Sequence, residues 1–92
     1  MAADLIRRRL VVHGQVQGVF YRDSTREQAE SAGVAGWAHN RDDGAVEVVL
    51  EGPSQAVHEV VQFCQSGPRG AQVDSIDSTE EEPEGLSSFE IR

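Results

Sequence analysis

The stretch GWAHNRDDGAVEVVLEG, residues 36–52, decides the fold. Val46, Val48 and Leu50 alternate with Glu47, Val49 and Glu51, the period-two pattern of a strand with one buried face. Arg41-Asp42-Asp43-Gly44 carries turn chemistry, and Gly36–Asn40 reads as a short strand leading into it. The stretch therefore predicts a hairpin, with its returning strand over Ala45–Glu51.

Helix signals flank the hairpin on both sides. After it, Gly52-Pro53-Ser54 opens a helix, because proline's fixed φ suits a first turn. Val57, Val60, Val61 and Cys64 follow at i, i+3, i+4 and i+7, and Gly67-Pro68 closes the helix. Before the hairpin, Ser24 and Glu27 have capping-box spacing. Tyr21, Thr25, Ala29 and Ala32 form a thin helical stripe suited to close packing on a sheet, and Gly33 is a stop signal. Further out, Leu5–His13 reads as a strand, with Ile6, Arg8, Leu10 and Val12 on one face. Ala71–Asp77 reads as another strand, whose apolar residues hold no single parity; a bulge or an edge position follows. Thr79–Ser88 is acidic, contains Pro83 and Gly85, and reads as a solvated loop. Phe89 and Ile91 make a short final strand.

This order, βαββαβ plus a short C-terminal strand, is the split βαβ or ferredoxin-like α+β plan. It predicts an antiparallel sheet with two helices on one face. At 92 residues, one domain over 1–92 is expected. A fold of this kind hosts many activities, so function has to come from the site.

Composition narrows the classes. Sixteen Asp and Glu against eight Lys and Arg give a formal charge of −8. That balance argues against nucleic acid, whose phosphates are bound through surplus cations. No apolar run is long enough for a transmembrane helix, and the N-terminus lacks the apolar core of a signal peptide. The single cysteine cannot form an intrachain disulfide. Together these features predict a cytoplasmic protein with no membrane association. An anionic ligand would be repelled at long range, so an anion site must be local and built from well-aimed donors.

One loop answers that description. GQVQGVFYR, residues 14–22, contains no carboxylate and links the first strand to the first helix. Amides at a helix N-terminus lack intrahelical partners and favour anions. Gly14 and Gly18 would frame a curl whose amides, from Gln15, Val16, Gln17, Gly18, Val19 and Phe20, converge on one point. Val16, Val19 and Phe20 are expected to point into the core. Arg22 could fork two bonds onto a phosphate or carboxylate. A tight connection with turn glycines and a solvated arginine reads equally well on these residues alone. Asn40, at the end of the second strand, could donate to one oxygen and accept from a water, although a hairpin-turn role explains it better in isolation.

The remaining chemistry-bearing residues favour structural roles. His13, His39 and His58 are scattered at spacings that fit no metal site. Cys64 completes an apolar helix face. Arg7-Arg8-Arg9 is expected to lie on a strand edge in water, Trp37 in the core, and Glu80-Glu81-Glu82 in a solvated loop.

Taken together, residues 14–22 and 36–52 closely resemble the two signature stretches of the acylphosphatase family. The likeness extends to Gly52-Pro53, to Gly67-Pro68 and to the length, and covers about Leu5 to Arg92. Tyr21 stands where the family more often has Phe, and His39 where Lys or Arg is commoner. Neither departure touches the residues that would carry chemistry. The resemblance implies a hydrolase that cleaves acyl phosphates to a carboxylate and inorganic phosphate. Arg22 would clamp the phosphoryl group, the amides of Gln15 through Phe20 would cradle it, and Asn40 would orient the attacking water.

The chemistry is compatible with so small a site. The leaving carboxylate is a stable anion, and phosphoryl transfer asks the protein mainly for positioning and charge stabilisation. No metal, no cofactor and no nucleophilic side chain is expected. The implied partner is a small-molecule acyl phosphate, handled by a monomer. Two other readings compete. One is a non-catalytic anion-binding regulatory module of the same fold, against which Arg22 and Asn40 together speak. The other is an RNA-recognition domain, which would need aromatic residues on its central strands and a basic surface.

Overall fold

The structure, a computed structural model, describes residues 4–92. The elements are β1 (Leu5–Gln15), α1 (Tyr21–Ala32), β2 (Ala35–Asn40), β3 (Val46–Pro53), α2 (Ser54–Ser66), β4 (Gln72–Glu81) and β5 (Phe89–Ile91). They form one sheet in the order β4-β1-β3-β2-β5. All pairings are antiparallel except that of β5, which lies parallel to β2 through Gly36↔Phe89 and Ala38↔Ile91. The ferredoxin-like plan holds, and the short last strand makes the sheet mixed instead of purely antiparallel.

Alternation builds the core as the hairpin predicts. Leu10 and Val12 of β1, Val46, Val48 and Leu50 of β3 and Ala38 of β2 are fully buried. They meet Tyr21 and Ala29 of α1 and Val57, Val60 and Cys64 of α2. Tyr21 locks the two helices together: its hydroxyl donates to the Cys64 carbonyl at 2.7 Å. Burial raises the Tyr21 pKa, so the hydroxyl stays a donor. Gly33 ends α1 in the left-handed region, its amide bonded back to Ala29 and Glu30 carbonyls. The amide of Ser54 at the head of α2 donates to the Asp4 carbonyl at 3.0 Å.

The opposite face of the sheet differs from expectation. Arg7 is 3 % exposed, because β1 lies between β4 and β3 and is no edge. Its guanidinium donates to Glu51 at 2.6 Å and to Glu81 at 2.8 Å. Arg9 bonds Glu81 at 2.8 Å and also pairs with Glu47. Glu81 therefore belongs to a strand and an ion-pair network, not to a solvated loop; only the residues after it form the connection to β5. Burial alone would raise the Glu51 pKa, but the Glu84 amide, the Arg7 guanidinium and the Leu86 and Gly85 amides hold it low. Trp37 also lies on this face, half-buried. The Arg9 and Arg92 guanidinium carbons stand 5.5 Å and 4.9 Å from its ring centre, so it is a cation–π partner and not a core residue.

Candidate active site

The cross-strand register brings the candidate residues to one end of the sheet. Val12 of β1 pairs with Val46 of β3, and Val46 pairs with Asn40 of β2. Val12, Val46 and Asn40 thus form one row on the helix-covered face, and β1 ends at Gln15, a few residues beyond that row. A cavity of about 230 Å³ opens there, lined by Val16, Gly18, Phe20, Tyr21, Arg22, Asp23 and Asn40. Arg22 and Asn40, 18 residues apart in sequence, line the same cavity.

The loop itself departs from expectation in three ways. Gly14 lies inside β1, where the register against β4 slips between His13↔Ser75 and Gly14↔Val73. Its φ is +133°, and a Cβ there would stand 2.1 Å from the Gln72 carbonyl oxygen; the glycine serves a strand bulge, not the curl. Helix α1 starts at Tyr21, three residues before Ser24, so the capping-box pattern does not mark its start. Phe20 is the N-cap residue, in the left-handed region at φ 62°, ψ 25°. Its carbonyl accepts the Ser24 amide at 3.0 Å, and no side chain caps the helix. Finally, the Phe20 ring is 77 % exposed, whereas Val16 is buried and Val19 packs on the core.

These features set the electrostatics. An uncapped helix start leaves first-turn amides free to bind an anion, and the helix dipole adds positive character. The loop turns through Gly18 at φ +76° and Phe20 at φ 62°, two positive-φ positions separated by Val19. Arg22, on the second residue of α1, donates from Nη1 to the Arg92 carbonyl oxygen at 3.3 Å, which steadies the side chain. Asn40 Oδ1 is buried and has no hydrogen-bond partner. Such an atom is costly unless something in the cavity donates to it.

Of the other candidate residues, Gln15 ends β1 opposite Gln72, and Gln17 and Val19 do not line the cavity. The side chain of Gln17 has a function that the sequence reading missed. Its Nε2 donates to the Arg41 carbonyl at 2.8 Å and to the Ala45 carbonyl at 3.0 Å. One side-chain amide thereby clasps the β2–β3 turn immediately after Asn40 and holds it against the loop. The turn is closed further by the Ala45 amide, which donates to Asp43 Oδ1 at 3.0 Å. That bond, chiefly, holds the Asp43 carboxyl below its ordinary pKa. Asp23, at the cavity rim, was likewise not singled out in the sequence; it faces Arg26 at 3.8 Å. Among the described residues, no three His, Cys, Asp or Glu side chains cluster to hold a metal, and no helix is long and apolar enough to cross a membrane.

Fold and cavity define the class: an α+β protein of ferredoxin-like plan, with a polar pocket where the β1–α1 loop meets the end of β2. The acylphosphatase family model matches residues 8–91. An acylphosphatase of Natronomonas pharaonis is 47 % identical over 90 residues, 98 % of each chain. One from Rubrobacter xylanophilus is 52 % identical over 88 residues, covering 94 % of this chain and 79 % of the relative. The crystal structure of the Bacillus subtilis acylphosphatase superposes with a TM-score of 0.92 at 38 % identity, covering 95 % of this chain and 98 % of that one. The chain belongs to the acylphosphatase family and is an enzyme of that class.

Proposed function

We propose that the chain hydrolyses acyl phosphates in the cavity between the β1–α1 loop and the end of β2, releasing a carboxylate and inorganic phosphate. One observation carries the reading. The buried, unpartnered Oδ1 of Asn40 belongs to a residue that lines the same cavity as Arg22 and the uncapped start of α1. The phosphoryl oxygens sit against the loop amides of residues 16–20 and the first turn of α1, and Arg22 adds its guanidinium. A water donates a hydrogen bond to Asn40 Oδ1, which turns its lone pair toward phosphorus. The water oxygen forms the new P–O bond. The bond from phosphorus to the acyl oxygen breaks, and the carboxylate leaves with the electron pair. One water proton passes to a phosphate oxygen.

Fixed amides and a guanidinium stabilise the charge that develops on the equatorial oxygens without reorganising. In enzymes with comparable donor sets, the loss of one donor costs roughly 3–4 kcal/mol. The test is hydrolysis of benzoyl phosphate, with inorganic phosphate as a competitive inhibitor. Arg22→Ala should weaken phosphate inhibition and slow turnover. Asn40→Ala should lower kcat while leaving phosphate inhibition nearly intact, because it acts on the water. Phosphate binding by the parent chain without turnover would instead make it a non-catalytic anion-binding module.

A further inference from the structure

The Phe20 side chain serves no need of the fold. It is 77 % exposed, and among the described residues the only other exposed large apolar side chain is that of Leu5. Phe20 is also the only non-glycine residue with positive φ among the described residues. A bulky side chain in that region is strained, and such strain persists where a site requires it. It caps nothing through its side chain, yet it lines the cavity together with Arg22 and Asn40.

The direction of the substrate follows from the site proposed above, on which this inference rests. Asn40 Oδ1 is buried and Arg22 is half-buried, so the phosphoryl group occupies the inner part of the cavity. The acyl group then projects outward, to the rim where Phe20 presents its ring. We propose that the Phe20 ring is the acyl-binding platform, and that it biases the enzyme toward acyl phosphates whose acyl group is flat and apolar, aromatic ones above all. Phe20 holds its left-handed backbone while its carbonyl stays bonded to the Ser24 amide.

The experiment compares benzoyl phosphate with acetyl phosphate, two substrates with the same phosphoryl group and different acyl groups. An aromatic contact at an exposed rim contributes about a three- to tenfold preference. The ratio of kcat/KM for benzoyl over acetyl phosphate should fall about three- to tenfold in Phe20→Ala and in Phe20→Gly, whatever their absolute rates. Glycine accepts the left-handed backbone, so the second variant separates ring loss from strain. A second measurement needs neither a variant nor turnover. Phenylphosphonate should bind the parent chain more tightly than methylphosphonate and shift the Phe20 ring resonances in NMR spectra. An unchanged substrate ratio, or equal binding of the two phosphonates, overturns the proposal while leaving the hydrolase reading intact. Failure of the parent chain to cleave either substrate overturns both.

Discussion

Replacing Gln17 with alanine tests how the two halves of the site are held together. The side chain donates to the Arg41 and Ala45 carbonyls at 2.8 and 3.0 Å, across 24 and 28 residues of sequence. Each carbonyl keeps a second donor after the substitution: the Gly44 amide on Arg41 at 3.2 Å, and the Arg41 amide on Ala45 at 2.8 Å. No carbonyl is orphaned, so the full desolvation penalty does not apply. Two ordinary hydrogen bonds at the low end of their net worth give a destabilisation of about 1–2 kcal/mol. The larger effect is on catalysis. The clasp fixes the turn next to Asn40, and a displacement of about 1 Å in a positioned group can cost about a hundredfold in rate. We expect kcat to fall about ten- to hundredfold, with phosphate inhibition changed much less, because Arg22 and the loop amides remain. Denaturant unfolding and steady-state hydrolysis of benzoyl phosphate measure the two effects. Gln17→Glu should do worse on both, since it sets a carboxylate against two carbonyl oxygens. If Gln17→Ala lowers stability but keeps full kcat, the clasp does not position Asn40 and the reasoning is wrong.

Other expectations concern the frame around the site. Gly14→Ala should destabilise by about 1–3 kcal/mol in denaturant unfolding, because it combines a strained backbone with a Cβ against the Gln72 carbonyl; an unchanged midpoint would show that the bulge relaxes freely. Hydrogen bonds from Arg9, and then Arg7, hold the Glu81 carboxyl down from its ordinary 4.5 to about 2. A carboxylate depressed in the folded state stabilises above its unfolded pKa, so this contribution is complete above 4.5 and fades as pH falls toward about 2. Glu81→Gln should therefore flatten the acid-unfolding curve in that window, and an identical slope would contradict the network. Burial pushes the Cys64 thiol up to about 11, so a thiol reagent should label it only after unfolding; labelling at native rates would place it outside the core.

The parts of the molecule that were legible in the sequence are those fixed by local periodicity. Val46, Val48 and Leu50 alternate because one face of β3 is buried. Val57, Val60 and Cys64 share a helical stripe because α2 packs on that side, and Gly33 stops α1 where a left-handed residue is required. What was not legible depends on partners distant in sequence. Arg7 and Arg9 look like a wet edge until β4 is known to run beside β1 and to bring Glu81 to them. Trp37 looks like core until the two guanidinium groups over its ring are known. The start of α1 was masked by a local pattern, Ser24 with Glu27, that matches a cap without being one. The left-handed Phe20 leaves no composition signal at all. At the site, Arg22 was marked by the carboxylate-free loop, and Asn40 weakly by its place at the end of β2 and more firmly by the likeness of the two stretches to the family's signatures. Gln17 was read for its backbone amide, although its side chain does the bridging.

A crystal structure of the chain grown with inorganic phosphate bears most directly on whether main-chain amides and one guanidinium capture the phosphoryl group. The anion should lie in the cavity at the start of α1, with amides of the 16–20 loop and Arg22 within hydrogen-bond distance and a water held on Asn40 Oδ1. An anion bound elsewhere, or a cavity that stays free of it at saturating phosphate, would contradict the mechanism.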